Sequence, residues 1–112
     1  MTKYHSRKTQ VEGITFDSKK EAQRYCELRL LEKNGQISQL CRQVPFSLIP
    51  TELGADGKKL REIVYIADFV YTTQSDGVPQ RHVEDVKGVK TDVYRLKKRL
   101  MWHLWGINIE EV

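Results

Sequence analysis

Apolar and polar positions along the chain alternate with two periods, and the change from one to the other marks the elements. VEGITF (11–16) alternates in steps of two and predicts a short strand. Ser18 followed by Glu21 forms a capping box that opens a helix over about 19–33. Asn34-Gly35 ends that helix, because glycine accepts the left-handed conformation there. ISQLCRQVPFSLIP (37–50) reads as extended, with Pro45 marking a bulge or an edge strand. TELGADGKK (51–59) is a loop, and REIVYIADFVYTT (61–73) is the strongest strand signal, rich in β-branched and aromatic residues. QRHVEDVKG (80–88) gives a further strand. TDVYRLKKRLMWHLWG (91–106) gives a helix with Thr91 or Asp92 as cap, Gly106 as stop, and a core-facing stripe of Val93, Leu96, Leu100 and Leu104. INIEEV (107–112) alternates again as a last strand. The predicted order is β-α-β-β-β-α-β.

The turn between the two central strands fixes their register. Asp76-Gly77 is a preferred type I′ pair, and around it opposed residues have numbers summing to 153. Asp68 then faces Asp85, and Lys87 shares their side with Ile66, Val70 and Val83. Tyr65, Ala67, Phe69 and Val86 fall on the other side. Both sides are largely apolar, which predicts a sheet covered on both faces by helices. Two opposed, half-buried carboxylates require a proton or a cation. A divalent metal with oxygen ligands meets that need, and the Val86 carbonyl offers a third hard oxygen. Lys87 pairing with one carboxylate is the alternative. A bulge at Pro79 would instead bring Glu84 opposite Asp68.

Composition and charge narrow the classes. With 112 residues, 39% apolar, the chain suits one domain over 11–112, preceded by a basic flexible arm over 1–10. No apolar run approaches the ~20 residues of a membrane span, so no membrane partner is expected. MTKYHSRKTQ has no apolar segment of a secretory signal. Cys26 and Cys41 form no CxxC unit, and His5, His82 and His103 have no ligand spacing, so zinc is not expected. The two cysteines read as reduced thiols of a cytoplasmic protein. Net charge is +4, with Lys3, Arg7 and Lys8 preceding any acid and Lys87, Lys90, Arg95, Lys97, Lys98 and Arg99 clustered later. These bases are candidates for binding a nucleic-acid backbone. Trp102 and Trp105 suit a core or interface better than a base-stacking platform.

An acid at the end of one strand followed by acid-x-Lys on the next resembles the signature of the PD-(D/E)XK, or restriction-endonuclease-like, nucleases. Here Ala67-Asp68 and Asp85-Val86-Lys87 carry it. FDSKKEAQRY, YIADFVY, VEDVKG and KTDVYRLKKRL, in this order, resemble more closely a small phage and prophage family of that superfamily, over residues 3–112. The resemblance implies an α/β fold with a central mixed β-sheet flanked by helices. It would have an α-β-β-β-α-β core and an extra N-terminal strand. It implies that Asp68 and Asp85 bind Mg²⁺, with Mn²⁺ able to substitute. Lys87 would orient the attacking water or stabilise the pentacovalent phosphate. Glu21 matches a frequent extra metal ligand, a role that competes with its place in the capping box. Lys97 matches a helical residue that often reaches the active site, and is alternatively a snorkelling lysine. Tyr94 is either a phosphate contact or a core residue.

The implied activity is Mg²⁺-dependent endonucleolytic cleavage of DNA in a host-cell cytoplasm. The phage resemblance suggests branched recombination or replication intermediates such as a Holliday junction. Symmetric cutting then implies a homodimer, with phage replication or recombination proteins as partners. The alternative is a non-catalytic, structure-specific DNA-binding module or an accessory subunit of a phage replication complex.

Overall fold

The computed structural model describes residues 8–112. The candidate DNA contacts Lys3 and Arg7, and most of the proposed basic arm, lie outside the described residues. The elements run β1 (Thr9–Val11), β2 (Ile14–Phe16), α1 (Lys19–Lys33), β3 (Ser38–Ile49), β4 (Glu52–Leu53), β5 (Lys59–Leu60), β6 (Ile63–Ser75), β7 (Val78–Asp85), α2 (Asp92–Trp105) and β8 (Glu110–Glu111). The fold is mixed α/β. Its main sheet has the order β3-β6-β7-β8, and β1-β2 and β4-β5 form two small separate sheets. β7 and β8 are parallel, with Glu84 beside Glu110 and Asp85 beside Glu111. The turn between β6 and β7 is Asp76-Gly77, both with positive φ as a type I′ turn requires. That two-residue link makes β6 and β7 antiparallel, so the sheet is mixed. Among the described residues no helix is long and apolar enough to cross a membrane.

The chain divides into two compact units, one reaching to Leu40 and including Tyr71–Arg81, the other made of Cys41–Val70 and His82–Val112. In the first unit the predicted strand over 11–16 is a hairpin instead. Glu12 and Gly13 both have positive φ and turn the chain, so that Thr9 pairs with Phe16 and Val11 with Ile14. Thr9 and Gln10 therefore belong to a strand and not to an arm. α1 begins as predicted, with Ser18 Oγ accepting the Glu21 N–H at 3.1 Å. It closes through the Asn34, Gly35 and Gln36 amides, which donate to Leu30, Glu32 and Leu31 carbonyls. Tyr25 of α1 packs its ring 5.1 Å from that of Phe16 and donates its hydroxyl to Glu12.

The second unit has its core in Phe46, Leu48, Tyr65, Ala67, Val70, Val83, Tyr94, Met101 and Ile109. β3 is an edge strand, the place in a sheet where a proline such as the exposed Pro45 is tolerated. The irregular position of β3 in this unit is Gln43, with φ +51, rather than Pro45. The stretch read as a loop over 51–59 contains the β4-β5 hairpin, closed by Gly54 N–H to the Lys58 carbonyl at 2.8 Å.

Two expectations are corrected here. Tyr65 and Ala67, expected on the side away from Val70 and Val83, share one core cluster with them, and the Tyr65 hydroxyl meets Asp85. The second correction concerns α2. Its buried residues are Tyr94 and Met101; of the expected core stripe Leu100 packs against the core, whereas Val93, Leu96 and Leu104 are 62%, 61% and 46% exposed. The helix is turned by about one residue's rotation, roughly 100°. The face presented to the sheet then carries Tyr94, Lys97, Lys98 and Met101. The ring and thioether fill the core, Lys98 reaches Glu111, and Lys97 lines the cavity described below.

Candidate active site

The strand that carries Asp68 runs beside the one that ends at Asp85, and both carboxylates belong to the second unit. Asp85 closes β7, so Val86 and Lys87 lie just beyond the strand. The Val86 N–H is thus released from the ladder and donates to Asp68 Oδ2 at 2.8 Å. Gln43 Nε2 lies 3.4 Å from Asp68 Oδ1. Asp85 is only 2% exposed. Its Oδ2 accepts the Tyr65 hydroxyl at 2.5 Å. Its Oδ1 is buried and receives no hydrogen bond, although Lys87 Nζ forms an ion pair with it at 3.2 Å.

Electrostatics follow from this crowding. Burial raises the Asp68 carboxyl above its ordinary range, and the neighbouring Asp85 charge adds to the rise. The Val86 N–H, Lys87 and Gln43 oppose it. Burial also raises the Tyr65 phenol, and its hydrogen bond to Asp85 adds to that. Tyr65 is therefore a neutral donor at any ordinary pH.

Lys87 Nζ sits 4.3 Å from the centre of the Tyr94 ring, a cation–π contact that fixes where the ammonium can go. The Tyr94 hydroxyl donates to Glu111 Oε2 at 2.8 Å. Lys90 and Lys98 pair with the same carboxylate at 3.0 and 3.1 Å. These donors hold the Glu111 carboxyl down at about 2, Lys90 contributing most, then Tyr94, then Lys98. A cavity of about 320 Å³ opens beside the pair. Asp85, Lys87, Thr91 and Lys97 give it polar lining, Tyr65 and Tyr94 aromatic lining, and Val64, Ile66 and Val93 apolar lining.

The structure thus brings Asp68, Asp85, Val86 and Lys87 together, and Lys97 lines the cavity that Asp85 and Lys87 also line. Of the two readings of Tyr94 the core one holds: it is 5% exposed, packs in the core of its unit and contacts Lys87 and Glu111. Lys90 and Lys98 are tied to Glu111, so part of their charge is already answered. Lys8 is exposed, in the first unit. Glu21 is also in the first unit, with a buried side chain on the capped turn of α1. Glu84, the alternative partner of Asp68, is buried as well; the carboxylate that joins Lys87 is that of Asp85. Two residues were missed. Tyr65 was assigned to the opposite side by strict alternation. Gln43 carries no signal at all, since a glutamine with positive φ is not legible in a strand pattern. Cys26 and Cys41 are free thiols, both exposed.

Among the described residues no three His, Cys, Asp or Glu side chains gather as a metal-binding group. The donor set of the site, as its contacts show it, is two carboxylates. It suits a hard cation that keeps several waters and takes one or two carboxylates, as Mg²⁺ does. The buried Asp85 Oδ1 without a hydrogen-bond donor fits that role. A family model described as "Protein of unknown function (DUF1064)" matches residues 1–107. No curated protein and no solved structure matches the chain.

Proposed function

The chain belongs to the DUF1064 family, and from the geometry of its site we propose that it is a Mg²⁺-dependent DNA endonuclease; its resemblance to phage nucleases extends the proposal to branched recombination or replication intermediates. One observation carries the reading: Asp68 and Asp85 are drawn together at the end of β7 beside Lys87, with the buried Asp85 Oδ1 receiving no hydrogen bond. A structural ion pair needs one carboxylate. The second, raised by burial, costs stability unless a cation or a proton answers it. The acid on β6 followed by acid-x-Lys at the end of β7 also supports membership of the PD-(D/E)XK superfamily and its core topology.

Asp68, Asp85 and the Val86 carbonyl would hold the metal. A bound metal would lower the pKa of the attacking water and neutralise phosphate charge. Lys87, held over the Tyr94 ring, exchanges its contact with Asp85 for the attacking water or a phosphate oxygen. Lys97, in the same cavity, supplies a second ammonium to the phosphate. The basic residues bind backbone without reading sequence. A branched substrate calls for a homodimer, and a phage setting calls for replication or recombination proteins as partners.

The test is cleavage of four-way junctions, flaps, linear duplex and single strands in Mg²⁺, with Asp85→Asn as control. Cleavage by the wild type but not by the variant is expected. Equal cleavage by both would falsify the proposal. A competing reading, a non-catalytic DNA-binding module, is favoured by the Lys87–Asp85 pair, which neutralises one carboxylate without metal. It requires binding that persists in EDTA and no cleavage in Mg²⁺ or Mn²⁺.

A further inference from the structure

We propose that Tyr65 is a positioning residue of this site: its phenol fixes the Asp85 carboxylate so that Oδ1 is the oxygen offered to the cation. The inference rests on the metal-dependent reading above and deepens it. A carboxylate at the end of a strand rotates about its last torsion unless something holds it. Here Oδ2 is held by the Tyr65 hydroxyl at 2.5 Å, which leaves Oδ1 aimed at Lys87 and without a hydrogen bond.

The holder is itself immobile. Tyr65 is 3% exposed and belongs to the core of its unit. Its ring lies against that of Phe46, with centroids 6.4 Å apart and planes 27° from parallel. The position of one carboxylate oxygen is therefore set by core packing and not by solvent-exposed side chains. Asp68 has a comparable brace in the Val86 N–H. Outer hydrogen bonds of this kind orient metal ligands, and removing one typically costs about 10–100-fold in metal affinity. The plainer account is that a buried tyrosine hydroxyl needs an acceptor and Asp85 is the nearest one. The two accounts differ in what the metal experiences.

Tyr65→Phe removes the hydroxyl and keeps the ring. Mg²⁺ is titrated into wild type and variant twice, by calorimetry without DNA and by the Mg²⁺ dependence of cleavage. The expected result is a half-saturating Mg²⁺ concentration raised about 10–100-fold, with the maximal rate recovered to within about threefold at saturating Mg²⁺. A variant with unchanged half-saturation, whether its maximal rate falls or not, overturns the positioning role while leaving the nuclease reading intact. A wild type that neither binds Mg²⁺ nor cleaves any DNA overturns both. Near-UV circular dichroism reports whether the variant folds. If it does not, Phe46→Leu decides, because it loosens the ring behind an intact hydroxyl. A rise of about threefold or more in half-saturation supports the role, and no rise overturns it.

Discussion

Replacing Lys87 with Met keeps most of the aliphatic stem and deletes the charge that answers Asp85. At 3.2 Å the pair's Coulomb energy is about 5 kcal/mol at an effective dielectric of about 20 and about 1.3 kcal/mol in bulk water. The lysine side chain is 28% exposed and the aspartate side chain 3%, so the pair lies between these limits, and solvent screening takes part of it. A net loss of about 2–3 kcal/mol is expected, the cost of leaving a buried carboxylate beside a second one. For a chain of 112 residues that corresponds to a fall of about 8–12 °C in Tm.

The pH dependence of this loss has a definite sign. Asp68 already has a raised carboxyl pKa, and removing Lys87 removes one of the groups that lower it. An acid with a raised folded pKa carries its penalty above that pKa and sheds it as pH falls toward the unfolded value. Lys87→Met should therefore approach wild-type stability in mild acid and fall furthest behind at neutral pH and above. Added Mg²⁺ should restore it at neutral pH, by about 2.7 kcal/mol at a hundred times its Kd, and should raise its Tm more than that of wild type. Thermal unfolding followed by circular dichroism at pH 5 and 8, with and without Mg²⁺, reads all of this. A Tm at pH 8 within about 2 °C of wild type, or one indifferent to Mg²⁺, would refute the account of the site as an under-neutralised carboxylate pair.

Further outcomes test other parts of the structure. Lys97→Ala should lower kcat/KM for DNA cleavage by about 10–100-fold, the worth of a charge-assisted phosphate contact, with the half-saturating Mg²⁺ concentration unmoved. Leu96→Ser should change stability by less than about 0.5 kcal/mol, whereas Met101→Ala should cost about 2–5 kcal/mol; the reverse order in denaturant unfolding would mean that α2 buries the face read from its sequence. Glu111 has a carboxyl pKa lowered from 4.5 to about 2, so its contribution exists above about 4.5 and is lost as pH falls through about 2. It is a partly exposed group, so Glu111→Gln should remove less than about 1 kcal/mol and flatten that part of the acid-denaturation curve. Thr91→Ala removes the hydroxyl that accepts the Tyr94 N–H at 3.1 Å and should cost about 1 kcal/mol in thermal unfolding.

Local chemistry was the most legible part of the sequence. Ser18, Thr91, Gly106 and Asp76-Gly77 act where they stand, because caps and turns depend on a few neighbouring atoms. Asp68, Asp85 and Lys87 come together by more than that count, because Lys87 lies beyond the end of β7 and Asp68 is joined to this corner through the Val86 N–H. What failed were inferences that extended a period across an irregularity. Alternation from the turn placed Tyr65 away from Asp85, whereas its hydroxyl donates to that carboxylate. The strand read over 11–16 contained its own turn at Glu12-Gly13. For α2 the apolar stripe lost to Tyr94 and Met101 together with the lysines, because the helix is oriented by a whole face and not by its aliphatic residues alone.

Gln43 holds a backbone conformation that side-chain-bearing residues rarely adopt, with φ +51, and its amide lies beside Asp68. Left-handed residues other than glycine cost of order 1 kcal/mol. A stabilisation campaign that scores folding alone would therefore favour glycine at this position, and in accepting it would strip one of the donors from Asp68. The same position is where tolerance of heat and fidelity of the site pull in opposite directions, so a thermostable descendant of this chain is best sought with Gln43 held fixed.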